Sequence, residues 1–123
     1  MKQNPSSMRA AEILRNKFGV SQLYSYDVTQ DGEVLFKVFW HPLTIAERES
    51  IQKKVGSDDA NDFALGLMIE KALDQEGKRL FQDGERAILK NSVDASILQE
   101  IQLAMLTSGS DNKVEDAKAD LKS

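Results

Sequence analysis

A chain of 123 residues is long enough to bury one hydrophobic core and too short for two. Its 41% hydrophobic and 29% charged residues exclude wholesale disorder, and the absence of cysteine excludes disulfide scaffolds, thiolate metal sites and cysteine nucleophiles. The net charge of -4, with both signs interleaved, argues against the basic face of a nucleic-acid binder.

The first predicted element is a helix that opens at Asn4-Pro5-Ser6-Ser7, with Ala10, Ile13, Leu14 and Phe18 on one apolar face and Gly19 as its end. Arg9, Arg15 and Lys17 read as its solvated side. Two strand-like runs come next, residues 23–28 and 33–40, joined through Thr29-Gln30-Asp31-Gly32 as an antiparallel hairpin. A three-residue loop, Gln30-Asp31-Gly32, would set Val28 opposite Val34, Tyr26 opposite Phe36 and Tyr24 opposite Val38, all six on one face. A two- or four-residue loop would instead put Tyr24, Tyr26 and Val28 beside Leu35, Lys37 and Phe39, bringing a charge into the better face. The three-residue loop is therefore expected. The opposite face, Ser25, Asp27, Leu35, Lys37 and Phe39, is half apolar.

Thr44 and Glu47 fit a capping box that starts a helix over 45–55, which Gly56 ends. Ser57-Asp58-Asp59 then caps a helix over 59–73 carrying Phe63, Ala64, Leu67, Met68, Ile69, Ala72 and Leu73, with Asp62, Gly66 and Glu70 as a narrow polar stripe. So broad an apolar surface predicts the central helix. In the segment 72–84, Gly77 is expected to end that helix, Leu80 and Phe81 to anchor the connection, and Asp83 to cap the next helix. Helices over 84–91 and 94–106 complete the set, the last with Ile97, Leu98, Ile101 and Met105 inward. The expected fold is α+β, mainly α, with about five short helices and one N-terminal antiparallel hairpin. Residues 1–107 form a single globular domain and 108–123 a flexible tail poor in apolar groups.

No constellation in the chain points to catalysis, a metal or a cofactor. Residues 27–32 begin like a calcium loop, but Val38 stands where the bidentate Glu belongs. Asp58, Asp59 and Asp62 are explained by capping, and the single histidine, His41, reads as a packing or hydrogen-bonding residue. What remains is apolar surface. A two-stranded sheet has two open edges, and Leu35, Phe39 and Trp40 lie on it as candidate partner-binding residues, in self-association or in contact with a target.

The order Pro42-Leu43-Thr44 with Glu47-Arg48, then Asp74-Gln75-Glu76-Gly77-Lys78-Arg79-Leu80-Phe81, then Leu89 and a last amphipathic helix over 97–106, resembles the tail assembly chaperones of long-tailed bacteriophages, over residues 34–107. The resemblance implies a non-enzymatic protein of the host cytoplasm, absent from the finished virion. It would coat the tape measure protein, help tail tube subunits polymerise around it, and act as a homo-oligomer without nucleic acid or membrane. The family commonly makes a second, longer product by a ribosomal frameshift, through which the tube protein is contacted. Asp120-Leu121-Lys122 can be encoded by GAU-UUA-AAA, which contains a slippery heptamer. Two other readings are a small helical regulatory DNA-binding protein and an adaptor subunit. The first is weakened by a last helix, 94–106, without Lys or Arg. No apolar run reaches the roughly 18 residues of a spanning helix, and the N-terminus lacks the core of a signal peptide.

Overall fold

The computed structural model describes residues 8–107. The expected helix opening at residues 4–7, the tail 108–123 and the candidate frameshift triplet 120–122 lie outside the described residues. The order is α1 (Ala10–Lys17), β1 (Tyr24–Gln30), β2 (Glu33–Trp40), α2 (Ile45–Val55), α3 (Ala60–Lys71), a 3-10 turn (Asp83–Glu85), α4 (Arg86–Ser92) and α5 (Ala95–Thr107). This is the expected α+β architecture, mainly helical, with one N-terminal hairpin.

α2 occupies the residues that local signals mark for it. The Thr44 hydroxyl accepts from the Glu47 N–H at 3.0 Å and the Glu47 carboxylate accepts from the Thr44 N–H at 3.0 Å, while Gly56 closes the helix at φ 69°. Asp59 caps α3 by accepting from the N–H groups of Asn61 and Asp62, and Asp94 accepts from the Ser96 N–H at the start of α5.

α3 is central: it packs against α2, α4 and α5. Residues Leu65, Gly66, Leu67, Met68 and Ile69 are buried in succession, so the helix is enclosed on every side over more than one turn. This corrects the expected polar stripe at Gly66. A Cβ there would stand 2.6 Å from Val55 Cγ2 and 3.5 Å from Ile51 Cγ2, so Gly66 is the point where α2 crosses α3.

The hairpin also departs from expectation. Its loop is two residues, Asp31-Gly32, both at positive φ (54° and 82°), the conformation of the primed turns that match strand twist. The pairs are Tyr24 with Trp40, Tyr26 with Val38 and Val28 with Phe36, two residues away from the expected partners. Nearer the turn Thr29 pairs with Val34, so Leu35 is an extra residue in β2, a bulge. A two-residue loop alone would have put Lys37 among the tyrosines. The inserted residue restores the alternation, so Tyr24, Tyr26, Val28, Phe36 and Val38 still share a face, now with Trp40. That face lies on the core, where the Tyr24 and Trp40 rings stack at 6.1 Å and the Tyr26 hydroxyl donates to Glu100 of α5 at 2.8 Å.

Segment 72–84 does more than punctuate. α3 ends at Lys71 without a glycine, in extended backbone at Ala72. Leu73 then exchanges two backbone hydrogen bonds with Phe39 (2.9 and 2.7 Å) and so covers the outer edge of β2. Gly77, at φ 84°, closes the turn that begins at Asp74, whose carboxylate accepts from the N–H groups of Glu76 and Lys78. Leu80 and Phe81 pack on the core as expected. Asp83 does not cap α4: it pairs with Arg79 at 2.9 Å, and Glu85 accepts from the Gln82 N–H instead.

Candidate interaction surfaces

The three residues marked for partner contact are separated by the fold. Trp40 is 1% exposed and stacked in the core, which removes it from any surface. Its position follows from strand alternation, which places Trp40 on the same face of β2 as Phe36 and Val38, opposite Tyr24. Phe39 is half-buried, with its backbone committed to Leu73. Leu35 alone is open to solvent, 58% exposed at the bulge, between Val34 (49%) and the exposed Phe36. The distal end of the hairpin therefore presents three consecutive apolar side chains. The acidic residues Asp31 and Glu33 stand beside them in and next to the turn, while Lys37 is engaged by Asp27 at 3.5 Å.

α1 holds a second apolar stretch. Its inward face was expected to be Ala10, Ile13, Leu14 and Phe18, yet no residue of α1 is buried, and Ile13, Leu14 and Phe18 are 40%, 58% and 78% exposed. The spacing identified the stripe correctly; only the assumption that the chain's own core covers it fails. A third stretch, Ile88, Val93 and Ile97, is exposed along α4, the connection and the start of α5, so Ile97 does not face inward as expected.

A cleft of about 350 Å³ lies between α2 and α3, floored by Ile51, Val55, Gly66 and Ile69 and rimmed by Lys54, Glu70, Asp83 and Arg86. Its charges are mutually satisfied. Lys54 Nζ is 2.6 Å from Glu70, and Arg79 bridges Glu70 at 3.5 Å and Asp83 at 2.9 Å. The Glu70 carboxylate raises the Lys54 pKa, and the Arg79 guanidinium lowers that of Asp83. Asp62 is likewise balanced by Arg86 and Lys90 at 3.7 and 3.9 Å. A rim whose charges are already paired offers little to a charged ligand. His41 ties the α1–β1 connection to the base of the hairpin, its Nδ1 2.7 Å from the Gln22 carbonyl oxygen. Among the described residues no group of three or more His, Asp or Glu is arranged to hold a metal, and no helix is long and apolar enough to cross a membrane.

Sequence reasoning missed Val34 and Phe36 as surface residues. The signal available was Asp31-Gly32, the dipeptide best suited to a two-residue turn, which implies an odd residue somewhere in β2 if the tyrosines are to stay with Val38. Comparison of the chain with known protein families, with curated proteins and with solved structures finds no match.

Proposed function

We propose that the chain is a non-enzymatic assembly chaperone of long-tailed phage tails, which binds the tape measure protein and promotes tail tube polymerisation around it. The observation that carries this reading is that, of the twelve large apolar side chains left exposed among the described residues, nine fall in three stretches of chain, on α1 and its end, on the distal hairpin and from α4 into α5, while Val20, Ile45 and Leu103 stand apart. Singly exposed apolar residues are ordinary, whereas grouped ones mark contact surfaces. A tape measure protein is expected to present long apolar helical surface, and a small domain with several apolar faces can hold such a target while touching its neighbours. Many weak contacts along one target then sum through avidity. The sequence resemblance over 34–107 supplies the identity of the target; the surfaces supply a means of holding it.

Co-expression with tape measure fragments and tube protein tests the proposal. The expected outcome is co-purification of a tape measure fragment, weakened by Ile88→Asp or Ile97→Asp, and absence of the chain from purified virions. Failure to retain any tape measure fragment, together with a salt-dependent shift of duplex DNA, would replace this reading by the DNA-binding one.

A further inference from the structure

We propose that the hairpin turn Asp31-Gly32 is a site of spontaneous covalent modification, at which the main chain isomerises through a cyclic imide to a β-linked aspartyl residue. The inference is independent of the proposed function.

The chain holds two Asp-Gly dipeptides, Asp31-Gly32 and Asp83-Gly84, and no Asn-Gly. Glycine is the successor that matters, because without a Cβ it leaves its own amide nitrogen open to the side chain before it. All four residues are exposed, so composition and solvent access do not distinguish the two sites. Hydrogen bonding does. Asp83 lies in a 3-10 turn, where its carboxylate accepts from Arg79 at 2.9 Å, its carbonyl oxygen accepts from the Arg86 N–H, and the Glu85 N–H is tied to Gln82. The guanidinium also lowers the Asp83 pKa and so keeps the group as a carboxylate, a poor electrophile. Asp31 and Gly32 stand beyond the last ladder pair, Gln30 with Glu33, and among the described residues neither the Asp31 carboxylate nor the Gly32 N–H has a hydrogen-bond partner. Asp31 is also a non-glycine residue in left-handed backbone, at φ 54°, so the segment that must move is already under strain.

The reaction needs only water. The Gly32 nitrogen, giving its proton to solvent, attacks Cγ of the protonated Asp31 carboxyl; the N–Cγ bond forms, the Cγ–OH bond breaks and one water leaves. Water then opens the imide. Breaking the new N–Cγ bond returns aspartate, whereas breaking the original bond from the Asp31 carbonyl carbon to the Gly32 nitrogen leaves the chain running through Cβ and Cγ, with a free α-carboxylate. Nothing is oxidised or reduced. The new linkage adds a methylene to a two-residue turn, which can then no longer hold the two positive φ angles that close Gln30 on Glu33. The change stops at the tip, because Val28, Val38 and Trp40 are held in the core. Isomerisation therefore reshapes the exposed end of the hairpin and leaves the fold standing.

Ageing the full chain in mildly acidic buffer at body temperature, followed by peptide mapping with fragmentation that separates the two linkages, tests this. The β-linked form should accumulate at Asp31 about tenfold or more faster than at Asp83, where the reaction must first open the local turn. Labelling with S-adenosylmethionine and an isoaspartyl carboxyl methyltransferase should mark the same peptide. The isomerised chain, separated from the unmodified one, should keep amide protection at Tyr26 and Val38 and lose it at Gln30 and Glu33. Absence of the β-linked product at Asp31, or equal amounts at the two dipeptides, would overturn the inference. So would an isomerised chain that also loses protection at Tyr26 and Val38, since the change would then not be confined to the tip.

Discussion

The two ends of the hairpin contrast within a single strand. At the base of β2, Val38 and Trp40 are sealed by α3, α5 and the Leu73 bridge; at its far end Val34, Leu35 and Phe36 face solvent, although all are apolar. Composition cannot tell the ends apart. What separates them is the reach of the helices, which cover the sheet only up to Val28 and Val38, and the bulge, which lies where that cover stops. Apolar residues on the covered side work for stability, and those beyond it are available to another chain.

The comparison is broken most forcefully at Trp40. Trp40→Ala removes the largest fully buried side chain and its stacking on Tyr24, with an expected loss of about 3–5 kcal/mol in urea or thermal unfolding. Leu35→Ala, five residues earlier, is expected to change stability by less than about 0.5 kcal/mol. Similar losses at the two positions would show that the far end is also part of the core.

Gly66 sharpens the same contrast on the helical side. Alanine is the better helix former by about 1 kcal/mol, but its Cβ would press on the stiff Val55 side chain at the α2–α3 crossing. Overpacking costs about 1–3 kcal/mol, so Gly66→Ala is expected to be a net destabilisation of up to about 2 kcal/mol, read from the urea midpoint. A stabilised variant would mean that the crossing is looser than the geometry indicates.

A smaller effect belongs to the start of α2. Thr44→Ala removes the hydroxyl that accepts from Glu47, at about 1 kcal/mol and at any pH. Glu47→Gln behaves differently. The Lys71 ammonium, then the Thr44 N–H, hold the Glu47 carboxyl below the ordinary glutamate range. A depressed folded-state pKa adds stability that is full above the unfolded value of roughly 4.3 and fades as pH falls through the folded value. Both partners are about a third exposed, so the pair contributes under about 1 kcal/mol. Glu47→Gln should therefore cost a few tenths to about 1 kcal/mol near pH 7, and the cost should shrink as pH falls through the folded value. An undiminished cost in acid would assign the effect to packing.

Legibility in the sequence tracks the range of the interactions. α2 matched to the residue because its start and stop signals are local: Thr44 with Glu47, and Gly56. The burial of α3 was legible as composition, but Gly66 was not, because a helical wheel counts glycine as polar and cannot know that a second helix needs the space. The Leu73–Phe39 bridge joins residues 34 apart in the chain, and no local pattern announces it. The α1 stripe was visible as spacing while its lack of an internal partner was not, since periodicity reports a face and not what meets it. Of the candidate site only Leu35 was placed on an open surface; Trp40 lies inward because strand alternation puts it on the face of Phe36 and Val38, opposite Tyr24.

That extra residue supports the smallest and most specific prediction. Because the turn is already two residues long and Thr29 already pairs with Val34, deleting Leu35 would join the two halves of the ladder into one continuous register. Phe36, Val38 and Trp40 would keep Val28, Tyr26 and Tyr24 as partners, and no side chain would change face. The deletion is therefore expected to shift stability by no more than about 0.5 kcal/mol, whereas deleting Phe36 would remove the residue paired with the buried Val28. Retained amide protection at Tyr26 and Val38 in the Leu35 deletion would establish that the bulge is dispensable for folding. Loss of protection there would mean that the bend it introduces is needed to lay the tyrosines on α5, as the Tyr26–Glu100 hydrogen bond requires.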